Sequence, residues 1–339
     1  MTVSVINSRA ADGFAGREDT WPEVVCPFDG QPLTAQGPMM VCSSNHRWST
    51  DSGILRLVPR TVNYADAFGL QWKTYRRTQL DSHTGTTLSR DRAQRCIGAD
   101  CWQRLHVDER VDVLEVGCGA GRFTEILLST GARVTSVDMS DAVEANQENF
   151  PQDRHHRIFQ ADVRHLPFEP RRFDVVLCLG VVQHTPNSEE TIARLYEQVK
   201  PGGWLVIDHY TYTLSEFTKS AQLVRLVLCR VPPERGLRWS RRLVDTFLPL
   251  HKAARHNRVA QALLSRLSPV LAYYHTLPLD DDLQREWALL DTHDSLTDRY
   301  KHFRTKGQIS RYLRALGAEE IWCECGGNGV EARCRRPGV

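Results

Sequence analysis

Val113-Leu114-Glu115-Val116-Gly117-Cys118-Gly119-Ala120-Gly121-Arg122-Phe123 is the stretch that decides the fold. Val111–Val116 reads as a buried strand because it is an almost unbroken apolar run bounded by turn residues. It ends at three glycines, and a helix is expected over 122–129. Glycines there let the backbone turn tightly and approach a ligand, and the helix start offers unpaired N–H groups. The spacing is G-x-G-x-G, with a single residue before the third glycine, unlike the G-x-G-x-x-G of dinucleotide binders. About twenty residues further on, Asp138 closes the next strand, where a carboxylate can hold both ribose hydroxyls. Asp162 follows a third strand and can meet an adenine amino group, with Val163 beside it.

Around this stretch the chain divides by composition. Residues 1–20 are polar and small and read as a frayed terminus. Residues 21–60 are rich in proline and glycine, with short strands at most. Residues 61–104 are helical. Residues 105–212 alternate apolar runs with helical patterns, the mark of βαβ units and a parallel sheet. Residues 213–304 turn helical and arginine-rich. Residues 305–339 give a helix over 306–316 and two strands joined by Gly-Gly-Asn-Gly, a good hairpin turn.

The whole chain has 339 residues, 41% hydrophobic and 25% charged. These values exclude collagen-like and wholly disordered classes. A formal net charge of +2 makes no global field that would demand nucleic acid or anionic lipid. No apolar run approaches the roughly 18 residues of a membrane span. The first residues lack the basic-then-apolar pattern of a secretory signal. The ten cysteines are therefore expected to be reduced core thiols of a cytoplasmic protein, one metal-type cluster apart.

The motifs VLEVGCGAGRF (113–123), SVDMS (136–140), ADVRHLPF (161–168), FDVVLCLGVVQHTP (173–186) and KPGGWLVI (200–207) resemble those of class I S-adenosylmethionine-dependent methyltransferases. The resemblance implies an α/β, Rossmann-like, seven-stranded sheet with a terminal antiparallel hairpin. A small N-terminal knuckle and a helical insertion would be added to it. It places Glu115 and Gly117 at the methionine portion of the cofactor, Asp138 and Met139 at ribose and adenine, and Asp162 and Val163 at the adenine edge. Leu179 and Gly180 would lie beside the sulfonium. Cys118, Gly119, Gly121, Arg122, Phe123, Ser140, Ala161 and Gln183 complete the implied cofactor contacts. Tyr64-Ala-Asp-Ala-Phe68-Gly-Leu-Gln71-Trp72 is similar to the entry segment of a bacterial subgroup associated with surface-saccharide and specialised-metabolite pathways. Tyr64, Phe68, Trp72 and Tyr75 share one helical face. That face either packs on the sheet or forms a lid with aromatics near the sulfonium, Gln71 then bonding the amino-acid end.

His184, just past the fourth strand, is the leading candidate base, since an imidazole titrates near neutral pH. His209 follows the fifth strand, and His293 with Asp294 could form a base dyad. Cys26-x2-Asp29 and Cys42-x3-His46 present two ligands each, as a tetrahedral zinc knuckle would. Similar knuckles precede some methyltransferases, including ribosomal-RNA guanine methyltransferases, although here the second ligand is aspartate. Arg230, Arg235, Arg238, Arg241, Arg242, Lys252, Arg255, Arg258 and Arg266 make the insertion basic. They form a solvated face, or else meet an anionic acceptor or an anionic membrane surface. Apolar residues of the insertion close a pocket or make a homodimer contact. The expected function is methyl transfer to a small-molecule acceptor. An RNA methyltransferase and a non-catalytic cofactor-binding subunit are the alternatives.

Overall fold

A computed structural model describes residues 21–59, 64–108, 110–213 and 218–338; the polar terminus 1–20 lies outside them. The first strands are β1 (Thr34–Gln36), β2 (Met39–Val41), β3 (Arg47–Asp51) and β4 (Ile54–Leu57). The helices α1 (Asp66–Thr74), α2 (Asp81–Thr84), α3 (Leu88–Ile97) and α4 (Ala99–Val107) follow. The alternating part runs β5 (Asp112–Val116), α5 (Thr124–Leu128), β6 (Arg133–Asp138), α6 (Ala142–Asn149), β7 (His156–Ala161), β8 (Phe173–Cys178), α7 (Ser188–Gln198) and β9 (Val199–His209). The inserted helices are α8 (Ser220–Leu228), α9 (Pro233–Ala253), α10 (Arg258–Leu267) and α11 (Asp281–Thr297). The chain closes with α12 (Lys306–Ala315), β10 (Glu319–Gly326) and β11 (Gly329–Arg335).

Among the described residues the strands form one eleven-stranded sheet, ordered β1-β2-β3-β4-β7-β6-β5-β8-β9-β11-β10. The expectation of seven strands is corrected here. Leu55, Arg56 and Leu57 of β4 pair in parallel with Phe159, Gln160 and Ala161 of β7, so the proline-rich segment continues the sheet. The physical reason lies in burial: Ile54, Leu55 and Leu57 are all buried, and an apolar strand that short needs a neighbour on which to satisfy its backbone. At the opposite edge, β11 pairs antiparallel with β9 and with β10.

Helices cover both faces of the parallel strands, which is why these read as continuous apolar runs. Leu114 and Val116 of β5 pack on one face with Ile192 and Leu195 of α7 and Ile309 and Leu313 of α12. Val113, on the other face, packs with Ile97, Leu105, Ile126 and Leu127. The capping box of Thr305 and Gln308 starts α12. The insertion builds its own small core from Val244, Leu248, Val270, Ala288 and Leu289, with Tyr75 against it. Helix α1 packs against α6, α9 and α11, and so bridges sheet and insertion. No helix among the described residues is long and apolar enough to cross a membrane.

Candidate functional site

The sheet order reverses between β5 and β8, and the carboxyl ends of strands at such a switch point open onto a crevice where ligands of α/β sheets bind. A cavity of about 790 Å³ lies there, lined by the glycine loop, α1, the ends of β6 to β9, the hairpin turn and the inserted helices. It is large enough for a nucleoside cofactor together with a small acceptor.

The loop after β5 is fixed by β6. Gly117 and Cys118 donate backbone N–H bonds to the Val137 carbonyl at 2.7 and 3.1 Å, and Gly119 donates to Asp138 Oδ2 at 3.0 Å. Gly117 has φ 76° and Gly119 φ 51°. A Cβ on Gly117 would meet Val181 at 2.1 Å, and one on Gly119 would meet the Trp72 ring at 3.1 Å. Backbone freedom and close approach both demand glycine at these positions. Gly121 does not line the cavity, yet it too must be glycine: its φ is 102° and a Cβ would sit 2.5 Å from the Phe150 ring.

Of the expected cofactor contacts, Tyr64, Phe68, Gln71, Trp72, Gly117, Cys118, Gly119, Arg122, Phe123, Asp138, Met139, Ala161, Val163, Leu179 and Gly180 line the cavity. Glu115, Gly121, Ser140, Asp162 and Gln183 are not among its lining residues. Ser140 instead steadies Asp138, donating its N–H and hydroxyl to Oδ1 at 2.8 and 2.7 Å. Burial raises the Asp138 pKa, against these bonds. Asp162 is forked by Arg164 and caps the short turn after β7. Gln183 is fully buried, and its side-chain amide finds no partner among the described residues. Tyr64, expected on the helix face, precedes the first residue of α1.

The histidines separate sharply. His184 lines the cavity, edge-on to the rings of Phe68 and Tyr210. Its Nδ1 lies 3.2 Å from the Tyr300 carbonyl oxygen and 3.3 Å from Asp298 Oδ2. Both neighbours are acceptors, so they select the tautomer with hydrogen on Nδ1 and leave Nε2 as the basic atom. Burial opposes charge on this ring, but the Asp298 bond and the Asp294 and Asp298 charges prevail and raise its pKa. Burial pushes the other way on Asp298 too, yet His184, Lys301 and Arg225 hold its carboxyl below the usual range. His209 is buried between Ser188 Oγ at 3.0 Å and the Tyr210 carbonyl at 2.8 Å, and burial lowers its pKa to about 4. His293 is likewise buried and lowered to about 4. It pairs with Gln71 Oε1 at 2.7 Å rather than with Asp294. Consecutive helix residues do not face each other, so the expected His293–Asp294 dyad does not form and Gln71 spends its oxygen on the histidine.

Asp291 and Arg92 are cavity residues that the sequence reading did not single out. Asp291 of α11 lines the cavity beside Asp294, which was expected there only as the partner of His293. Asp291 accepts from Tyr273 at 2.5 Å and from Trp287 at 3.0 Å. Asp294 Oδ1 is buried without a partner among the described residues, and burial lifts that carboxyl to about 6. Asp291, Asp294 and Asp298 stand at i, i+3 and i+7, an acidic helical face that was the available signal. Arg92 lines the cavity and forms an ion pair with buried Asp208, which also accepts from Gly180 N–H at 2.6 Å and Asn328 at 3.1 Å. Arg122 donates to Ser89 and Gln79 at 3.0 Å each, but no carboxylate pairs with it among the described residues, and burial drops its pKa to about 10.

The second expected constellation also comes together. Donor atoms of Cys26, Asp29, Cys42 and His46 all lie within 4.8 Å of one another. His46 Nδ1 is 3.4 Å from each sulfur and 3.2 Å from Asp29 Oδ2, and Cys42 Sγ is 3.3 Å from Asp29 Oδ2. Tetrahedral zinc with ordinary bond lengths sets its donors about 3.3–3.8 Å apart. The donor set fits that ion. The Cys323-x-Cys325 pair does not share one environment: Cys323 is buried, whereas Cys325 is exposed and lines the cavity.

Residues 114–207 match the family described as Methyltransferase domain. The matched stretch runs from within β5 to within β9 and holds Gly117, Asp138 and His184. A ubiquinone biosynthesis O-methyltransferase of Pseudomonas entomophila (strain L48) is 38% identical over 107 residues, 29% of this chain and 45% of that protein. One from Coxiella burnetii (strain Dugway 5J108-111) is 36% identical over 95 residues, 27% and 41% of the two chains. The chain thus spans less than half the length of these curated relatives. The crystal structure of human N-acetylserotonin methyltransferase in complex with SAM has a TM-score of 0.42 and 13% identity, covering 82% of this chain and 61% of that one.

The crevice fits S-adenosylmethionine in its donor chemistry. It offers a carboxylate for ribose hydroxyls at Asp138, a guanidinium without a carboxylate partner among the described residues at Arg122, and aromatic rings for a cationic sulfur. Beneath it, Glu115 is fully enclosed and its pKa is raised to about 7 by burial, against hydrogen bonds from Thr124 and Ser136. A carboxyl with a raised folded pKa favours folding at low pH, and that contribution is lost as pH rises from about 4.5 through about 7. Glu115→Gln should remove this slope. Urea denaturation at both ends of the window should show wild type losing about 2–4 kcal/mol more than the variant.

Proposed function

We propose that this protein is an S-adenosylmethionine-dependent methyltransferase that methylates a hydroxyl of a small-molecule acceptor, with His184 as general base. The observation that carries this reading is the convergence of the glycine loop, Asp138 and His184 on one cavity. The methyltransferase-domain match over 114–207 supports it, and the word O-methyltransferase in the names of the relatives supports oxygen as the acceptor atom. When bound, the cofactor supplies an electrophilic methyl group on a positively charged sulfur. Asp138 holds the ribose hydroxyls, Arg122 the carboxylate, and Tyr64, Phe68 and Trp72 shield the cationic region from water. Leu179 and Gly180 form the floor beside the sulfur.

His184 Nε2 takes the acceptor proton, while the Tyr300 carbonyl holds Nδ1–H and the Asp298 carboxylate stands beside it as the charge that stabilises the imidazolium. Alignment supplies much of the rate and proton removal the rest. The insertion and α1 form the acceptor side. Asp294, its buried oxygen unpartnered, receives a hydrogen bond from a second donor group of the acceptor. Carboxylates at 291 and 294 disfavour a polyanionic RNA substrate. An intact glycine loop and an open crevice argue for an enzyme rather than a cofactor-binding subunit. The cluster of Cys26, Asp29, Cys42 and His46, none of which lines the cavity, we assign to structural zinc.

Asp138→Ala should abolish cofactor binding by calorimetry, and unchanged affinity would remove the ribose assignment. With wild type, kcat should rise with pH through a pKa above the usual histidine value, because only neutral imidazole accepts the proton. Asp298→Asn should move that limb to lower pH, and His184→Ala should cut kcat about 10²–10⁴-fold with little change in cofactor affinity. A profile in Asp298→Asn superimposable on wild type would detach the carboxylate from the base. Elemental analysis of the purified chain should find zinc equimolar with protein, and Cys42→Ser should lose it; metal-free wild type with an unchanged melting temperature would contradict the zinc assignment.

A further inference from the structure

Residues 218–267 carry eleven Lys and Arg against two acidic residues, although the whole chain is nearly neutral at +2. The same segment holds most of the large apolar side chains left exposed among the described residues. None of the residues of α10 is buried. Its Val259, Leu263 and Leu267 are 71%, 60% and 72% exposed and stand at i, i+4 and i+8, a single apolar stripe. Arg258 and Arg266, each one position earlier, flank that stripe. On α8, Leu223, Leu226 and Val227 are exposed as well. The two helices adjoin: Ser220 Oγ donates to the Leu267 carbonyl at 2.7 Å, and Arg266 bonds to Thr218 Oγ1. The apolar residues of both helices therefore flank one junction. Lys219, Ala221 and Gln222 at the start of α8 line the cavity, which places this surface at the rim of the site.

We propose that α8 and α10 form a docking surface for an anionic lipid bilayer, set against the mouth of the active-site cavity. Apolar stripes bordered by arginine are what an interfacial helix needs: the leucines enter the acyl boundary while guanidinium groups meet lipid phosphates. A second copy of the chain would bring the same positive field to the contact and be repelled by it. Soluble proteins seldom expose contiguous apolar surface without a partner for it, and the local charge selects an anionic one. The acceptor site then opens toward the bilayer, where an acceptor with an apolar anchor would be held.

Sedimentation of the full chain with vesicles tests this without any cofactor, so it succeeds or fails independently of the methyl-transfer reading. Wild type should pellet with vesicles of phosphatidylglycerol and phosphatidylcholine in equal amounts, stay in the supernatant with phosphatidylcholine alone, and release as salt rises. The double variants L263E/L267E and R258E/R266E should each bind the anionic vesicles at least about tenfold more weakly while keeping the wild-type melting temperature. Wild type remaining in the supernatant with anionic vesicles, or both variants pelleting like wild type, would overturn the proposal. So would a concentration-dependent dimer in ultracentrifugation that L263E/L267E dissociates, since a second copy would then cover the face.

Discussion

The carboxylate of Asp138 and the Val137 carbonyl beside it hold the bend after β5, and the rest of the site is built from that bend. Three backbone N–H groups of the loop, at 117, 118 and 119, are spent on the end of β6. The loop is consequently rigid before any ligand arrives, and a preformed site loses little ordering entropy on binding. Ser140 completes the arrangement by fixing the other oxygen of Asp138. Trp72 lies against Gly119 from above, so α1 is seated on the same bend. Disturbing Asp138 would loosen both the loop and its cover.

A second set of constraints joins the far edge of the sheet to the cavity. Asp208 is fully buried and is held in place by Arg92 of α3, the Gly180 N–H and Asn328 of the hairpin turn. Arg95, one helical turn on, pairs with buried Glu331 of β11. Removing one partner of such a pair leaves an uncompensated buried charge, which costs far more than the pair contributes. These arginines lock α3 to β9 and β11, and with them the floor at Gly180. The insertion supplies the opposite wall and delivers Asp298 to His184 across more than a hundred residues of sequence.

What was legible in the sequence is local. The strand-to-glycine transition at 116–117, the carboxylate at 138, the helix over 306–316 and the glycine-rich turn at 326–329 each carry their signal within a few residues. The joining of β4 to β7 was not legible, because a four-residue apolar strand says that it is buried but not beside which neighbour. The partner of His184 was hidden for the same reason. Asp298 ends a helix in a segment without motifs, whereas the adjacent His293 and Asp294 invited a pairing that helical geometry forbids. Gly121 and Asp162 show the complementary limit. The expected residue stands at each motif position, but Gly121 faces Phe150 and Asp162 meets Arg164, contacts that the motif does not announce.

Every role proposed for the site requires the crevice above 117–119 to accept a sulfur-linked adenosine. Calorimetric titration of the wild-type chain with S-adenosylhomocysteine, alongside NAD as a control, measures this directly. Saturable binding with a dissociation constant in roughly the micromolar range, and none for NAD, is the predicted result. A flat titration with the sulfur compound, or tighter binding of the dinucleotide, would show that the bend at 117–119 serves another ligand.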